Sequence, residues 1–170
     1  GGGDENVGLV GGVVHGDDAV AFHRGLQRAD RVDLGDPDLG RERAQRLRMA
    51  IFDMHKPVIA QVHGHCLAGG TDIALLCDMV IAADDARFGF PPARDLGALP
   101  NNMWLYNVGP QWAKRLTLTG DTISGAEAAQ IGLVMKSVPP DLLEAEVEGL
   151  ADRLALVDAD LLAANKRIIN

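Results

Sequence analysis

The segment Val62–Ala83, VHGHCLAGGTDIALLCDMVIAA, closes one apolar run, passes the adjacent glycines Gly69 and Gly70, sets Asp72 just beyond them, and enters a second apolar run. Two readings of this pattern compete. In the first, the glycines permit tight strand–helix packing, and Asp72 is an acid in a first helical turn, where the macrodipole favours it by about 0.3–1 kcal/mol. In the second, the unpaired N–H groups at the helix start hold an oxyanion, which can approach closely because no Cβ stands in the way. Spacing alone leaves both open.

Outward from this stretch, Pro57–Val62 (PVIAQV) and Met79–Ala83 (MVIAA) read as buried strands on either side of a short apolar helix, Thr71–Cys77. A strand, a crossover helix and a second strand predict a parallel pair. Upstream, Ala44, Leu47, Ala50, Ile51 and Met54 recur at helical spacing over Arg41–Met54, and Pro57 stops the run. Leu9–Val14 reads as a strand interrupted by glycines, and His15–Gly40 as loop. Downstream, FGFPPARDLGALP (Phe88–Pro100) is a Pro- and Gly-rich loop of the kind that carries function. Short helices are expected over Asn102–Asn107 and Pro110–Leu118. TGDTIS is expected to turn. A helix over Gly125–Gln130 has Ser124 and Glu127 spaced as a capping box. A short strand within Ile131–Val138, a long amphipathic helix over Asp141–Leu156 and a last helix from about Ala159 complete the reading.

The 170 residues suffice for one domain, and a 47% hydrophobic content with 4% aromatics calls for a core of Ala, Val, Leu and Ile. A net charge of −8 argues against nucleic acid or an anionic membrane surface as partner. Cys66 and Cys77 sit in apolar runs without a CxxC, which predicts buried free thiols in a reducing compartment, with the cytoplasm as the default location. No stretch reaches 18 apolar residues, and no signal peptide is recognisable. His63, His65 and Cys66 lack an obvious third ligand, so no metal is expected. The chain has no G-x-S-x-G elbow, Walker A motif or G-x-G-x-x-G motif.

Taken together, KPVIAQVHGHCLAGGTDIALLCDMVIAADDARFGFP (Lys56–Pro91) and LTGDTISGAEAAQIGLVMKSVPPDLL (Leu118–Leu143) resemble the signature of the enoyl-CoA hydratase/isomerase family, the crotonase superfamily. The resemblance covers roughly the last 120 residues as a set. It implies an α/β crotonase (ClpP-like) fold of repeated ββα units, a single domain over residues 1–170. It also implies an incomplete copy, lacking N-terminal strands and the helices that follow the one near residue 159. Residues 1–40 match poorly.

The implied activity is that of a lyase in acyl-CoA, hence fatty acid, metabolism, with isomerase or hydrolase chemistry as alternatives and an inactive acyl-CoA-binding or scaffold protein as another. No cofactor is implied, since coenzyme A is part of the substrate. The family's oxyanion hole falls on the backbone N–H groups of Gly69 and of Leu26, which follows Gly25. Asp72 falls on one of two catalytic glutamates, and Pro92 stands where the other would be. Gly25, Gly70, Pro92 and Arg94 are the expected substrate-binding residues, Arg28 is a candidate for the CoA phosphates, and Asp95 is a candidate replacement acid. Homotrimers or hexamers are the family's usual assemblies.

Overall fold

The computed structural model describes residues 5–10, 37–94, 99 and 101–170. Its centre is the strand β2 (Ile59–Leu67), which is flanked by β1 (Glu5–Val10) and, parallel to it, by β3 (Met79–Ala83) and β4 (Arg87–Gly89). β5 (Thr122–Ser124) extends the sheet antiparallel to β4, and β6 (Lys136–Val138) extends it parallel to β3. The resulting order is β5-β4-β2-β3-β6, with β1 antiparallel on β2.

The parallel β2/β3 pair is as expected, but β2 runs five residues past Val62. Its first half pairs Ile59–Val62 with Met79–Ala82, and its second half pairs His65–Leu67 with Arg87–Gly89. Between the halves, Gly64 takes a positive φ of 64°. A glycine reaches that conformation without Cβ strain, so a single strand can turn here and serve two sets of partners. The register advances by two residues across the Asp84–Ala86 turn that separates β3 from β4. The backbone carbonyls of this jog are satisfied from the start of a helix: Gly125 N–H donates to Ala86 O at 2.7 Å and Ala126 N–H to Asp84 O at 3.2 Å. A Cβ on Gly125 would lie 2.0 Å from Ala83 O, so only glycine fits there.

The helices are α1 (Pro37–Phe52), α2 (Gly69–Ala74), α3 (Met103–Thr119), α4 (Gly125–Gln130), α5 (Leu143–Ala155) and α6 (Ala159–Ile169), with a 3-10 turn at Pro91–Arg94 and another at Pro140–Leu142. α2 stops at Ala74, short of the expected Cys77. α3 is two helical segments joined at Gly109 (φ 70°, ψ 177°), immediately before Pro110, which is the break the sequence predicts. The Ser124–Glu127 capping box forms in full.

One hydrophobic cluster unites β2, β3, α2 and the inner faces of α3 and α5, with Phe88, Trp104, Leu116 and Val147 among its buried members. Cys66 and Cys77 are buried inside it, and neither forms a disulfide. Lys166 of α6 is also buried. Its Nζ donates to Asp78 Oδ2 at 2.7 Å and to the Lys56 carbonyl at 3.2 Å, and Asp78 Oδ2 also accepts the Val58 N–H at 2.6 Å. The C-terminal helix is thus pinned to the edges of β2 and β3. No helix among the described residues is long and apolar enough to cross a membrane.

Candidate functional site

The strand-to-helix turn at the end of β2 is built by three linked features. First, Ala68, the residue before α2, holds φ 51° and ψ −116°, a conformation disfavoured for any residue with a Cβ. Holding it costs about 1–3 kcal/mol, and such strain concentrates where a site dictates backbone direction. Second, Gly89 O of β4 accepts both the Ala68 N–H at 3.1 Å and the Thr71 hydroxyl at 3.0 Å. Third, the same Thr71 hydroxyl lies 2.6 Å from Cys66 O. A buried threonine therefore clasps the turn between the ends of β2 and β4.

Gly69 and Gly70 form the first turn of α2, where backbone N–H groups lack intrahelical acceptors. Asp72 follows in the same turn and is 7% exposed. Its Oδ1 has no hydrogen-bond partner. Burial raises its pKa from the ordinary 3.8 to about 7, against a smaller opposing pull from the Arg48 guanidinium on α1. At neutral pH such a carboxyl populates both protonation states, the condition a general acid/base needs.

Pro92 is half-buried in the 3-10 turn. Arg94 is exposed, and its guanidinium is engaged at the C-terminal end of α3. There Nε donates to Thr119 O at 2.9 Å and an Nη to Asp121 Oδ1 at 3.0 Å. Gly25, Leu26, Arg28 and Asp95 lie outside the described residues. His63 and His65 fall within β2, and among the described residues no three His, Cys, Asp or Glu side chains are grouped to hold a metal. Sequence reasoning did not single out the Thr71 clasp, the strained Ala68 or the Arg48 charge. Thr71 sits at a position where a cap is ordinary, and the other two depend on tertiary neighbours.

Known proteins share this architecture. Residues 4–170 match the family model described as enoyl-CoA hydratase/isomerase. The crotonyl-CoA hydratase of Syntrophomonas wolfei is 40% identical over 139 residues, covering 79% of this chain and 51% of that protein. A probable enoyl-CoA hydratase of Mycobacterium tuberculosis is 32% identical over 165 residues, 95% of this chain and 64% of that one. The crystal structure of an enoyl-CoA hydratase from Mycobacterium smegmatis superposes with a TM-score of 0.73 at 36% identity, over 90% of this chain and 47% of that chain. The chain thus spans about half the length of the curated relatives it matches.

Proposed function

The chain belongs to the enoyl-CoA hydratase/isomerase family, and from that premise we propose that it acts on an acyl-CoA thioester with Asp72 as its acid/base group. The observation that carries this reading is the carboxyl itself: buried, unpartnered at Oδ1, poised near neutrality, and in the same first helical turn as a glycine pair.

In the hydration direction, ionised Asp72 takes a proton from water while the water oxygen bonds to the β-carbon of the enoyl group. The electron pair displaced from the double bond collects on the thioester oxygen as an enolate. The Gly69 N–H, with the Leu26 N–H as second donor, holds that oxygen; one such donor is worth about 3 kcal/mol to the transition state. The enolate then recovers a proton at the α-carbon from the Asp72 carboxylic acid, which restores the resting state. Gly70 keeps the approach to the thioester open, and Pro92 shapes the opposite wall.

Pro92 also favours a second reading. It has no proton to exchange, so one carboxyl must serve both proton transfers. A one-base double-bond shift, in which Asp72 removes the α-proton and returns it at the γ-carbon, needs nothing more. Hydrolysis and a purely acyl-CoA-binding role are the remaining alternatives, the latter distinguished by binding without turnover.

The experiment is turnover of crotonyl-CoA and longer 2- and 3-enoyl-CoAs by wild type and Asp72→Asn, with acyl-CoA binding measured by calorimetry. Asp72→Asn is expected to lower turnover by about 10²–10⁴-fold while binding persists. Unchanged turnover in the variant removes Asp72 from the chemistry.

A further inference from the structure

Arg94 ends the 3-10 turn that follows β4, and its side chain lies across the C-terminal end of α3. Its seat there is built from three consecutive residues. Arg94 Nε donates to Thr119 O at 2.9 Å, a helix-terminal carbonyl with no partner inside α3. An Nη donates to Asp121 Oδ1 at 3.0 Å. Between these two acceptors Gly120 takes a φ of 65°, and a Cβ on it would stand 2.9 Å from Arg94 Cγ. The arginine stem therefore crosses a position that only glycine leaves clear. The seat is braced in turn. Arg115 donates to the other oxygen of Asp121 and to the Thr119 hydroxyl, and the Asp121 N–H donates to that hydroxyl at 3.2 Å.

An exposed ion pair by itself contributes little. This one is joined by a bond to a helix-terminal carbonyl and by a fitted stem, and it closes a loop of chain. The chain leaves β4 at Gly89 and runs through Phe90 into the turn that ends at Arg94. Asp121, which Arg94 grips, leads into β5, and Thr122 of β5 pairs with Gly89. A Cβ on Gly89 would meet Asp121 O at 2.6 Å, so the two backbones are in direct contact. On its other edge Gly89 pairs with Leu67 of β2, and its carbonyl accepts both the Ala68 N–H and the Thr71 hydroxyl. Gly89 thus stands between the end of α3 and the turn that carries Gly69.

We propose that Arg94 is a positioning residue: by tying its turn to Thr119 O and Asp121 it fixes the end of β4, and through Gly89 O it fixes the direction of the Gly69 amide. The proposal rests on the acyl-CoA reading above, in which that amide holds the thioester oxygen. Loss of Arg94 then misdirects a donor to the enolate and leaves the other contacts of the ligand intact. A direct contact between Arg94 and the substrate would do the reverse.

The test compares wild type, Arg94→Ala, Asp121→Ala and the double variant in turnover of crotonyl-CoA and in calorimetric binding of butyryl-CoA. Each single variant is expected to lower kcat about ten-fold, since small misplacements of a reacting group are costly, with the Kd for butyryl-CoA moving less than about three-fold. The double variant should be no worse than either single one, because each removes the same tie. Arg94→Lys should retain part of the activity, as an ammonium lacks the fork that spans both acceptors. Hydrogen exchange supplies a readout independent of turnover. The Ala68 amide should exchange faster in Arg94→Ala, while the Met135 amide, which donates to Val80 O at 2.9 Å on the far side of β2, should not. A loss confined to butyryl-CoA affinity, additive effects of the two substitutions on kcat, or an unchanged Ala68 amide overturns the proposal and leaves the acyl-CoA reading standing. If the wild type turns over no enoyl-CoA and binds no acyl-CoA, that reading falls, and the Ala68 amide alone decides whether Arg94 holds the turn.

Discussion

Replacing Asp72 with asparagine should stabilise the protein as it disables it, and the size of the effect follows from burial. A carboxyl raised from 3.8 to about 7 is held back from ionisation by about 4 kcal/mol. The native state keeps its proton where the unfolded chain has lost it, so the unfolded state binds fewer protons between those two values. Stability therefore falls as pH rises through that window, and the full cost is present above about pH 7. The side chain is only 7% exposed, so solvent screens little of this cost, and the Arg48 contribution is already included in the net value. Asparagine has nearly the same shape and no charge. At pH 8, Asp72→Asn should gain up to about 4 kcal/mol, which for a domain of this size is a rise of roughly 10 °C in Tm. Near pH 4 the two proteins should be almost equal. Guanidinium denaturation midpoints at pH 4.5, 6 and 8 measure this directly. If the advantage of the variant does not grow with pH, Asp72 is not a carboxyl held neutral by burial, and the case for it as acid/base group fails with it.

Substitutions at four further sites probe the scaffold. Thr71→Val preserves shape but removes the hydrogen bonds to Cys66 O and Gly89 O, and should cost about 2 kcal/mol in urea denaturation and reduce turnover, with Thr71→Ser retaining both. Gly125→Ala drives a Cβ to within 2.0 Å of Ala83 O and should cost about 3 kcal/mol or more in thermal denaturation. Gly132→Ala, where open space surrounds a φ of 78°, should cost only about 1 kcal/mol. Lys166→Met strands Asp78 and should cost about 3–5 kcal/mol, and the double variant with Asp78→Asn should recover part of that loss in a double-mutant cycle.

Which parts of the fold were legible in the sequence depends on whether their cause is local. The Ser124–Glu127 box and the Gly109–Pro110 break are set by residues within one turn of each other, and both appear as read. β3 is likewise a continuous apolar run bounded by turn residues. The second half of β2 was not legible: His63, Gly64 and His65 look like a polar turn, and only pairing with distant strands, His63 and Gly64 with β1 and His65 with β4, makes them strand. β4 and β5 are three residues each, too short for alternation to register. The burial of Lys166 has no local signal, because its partner lies 88 residues away.

Asp72 shows why the same limit applies to the candidate site. Read locally, an aspartate in a first turn is favoured by the helix dipole, an effect of about 0.3–1 kcal/mol that would lower its pKa. The observed direction is the opposite, because desolvation is several times larger than the dipole of a six-residue helix and larger than the pull of Arg48. That desolvation comes from the tertiary burial of Asp72, which the motif does not encode. The motif therefore specifies where a carboxyl stands, and the tertiary packing decides whether it is a solvated cap or a group able to give and take a proton near pH 7. Glycines alone do not settle the turn's role either. The positive φ at Ala68 is sustained only because Thr71 and the Ala68 N–H both grip Gly89 O, so the orientation of the Gly69 amide is a property of β4 as much as of its own sequence.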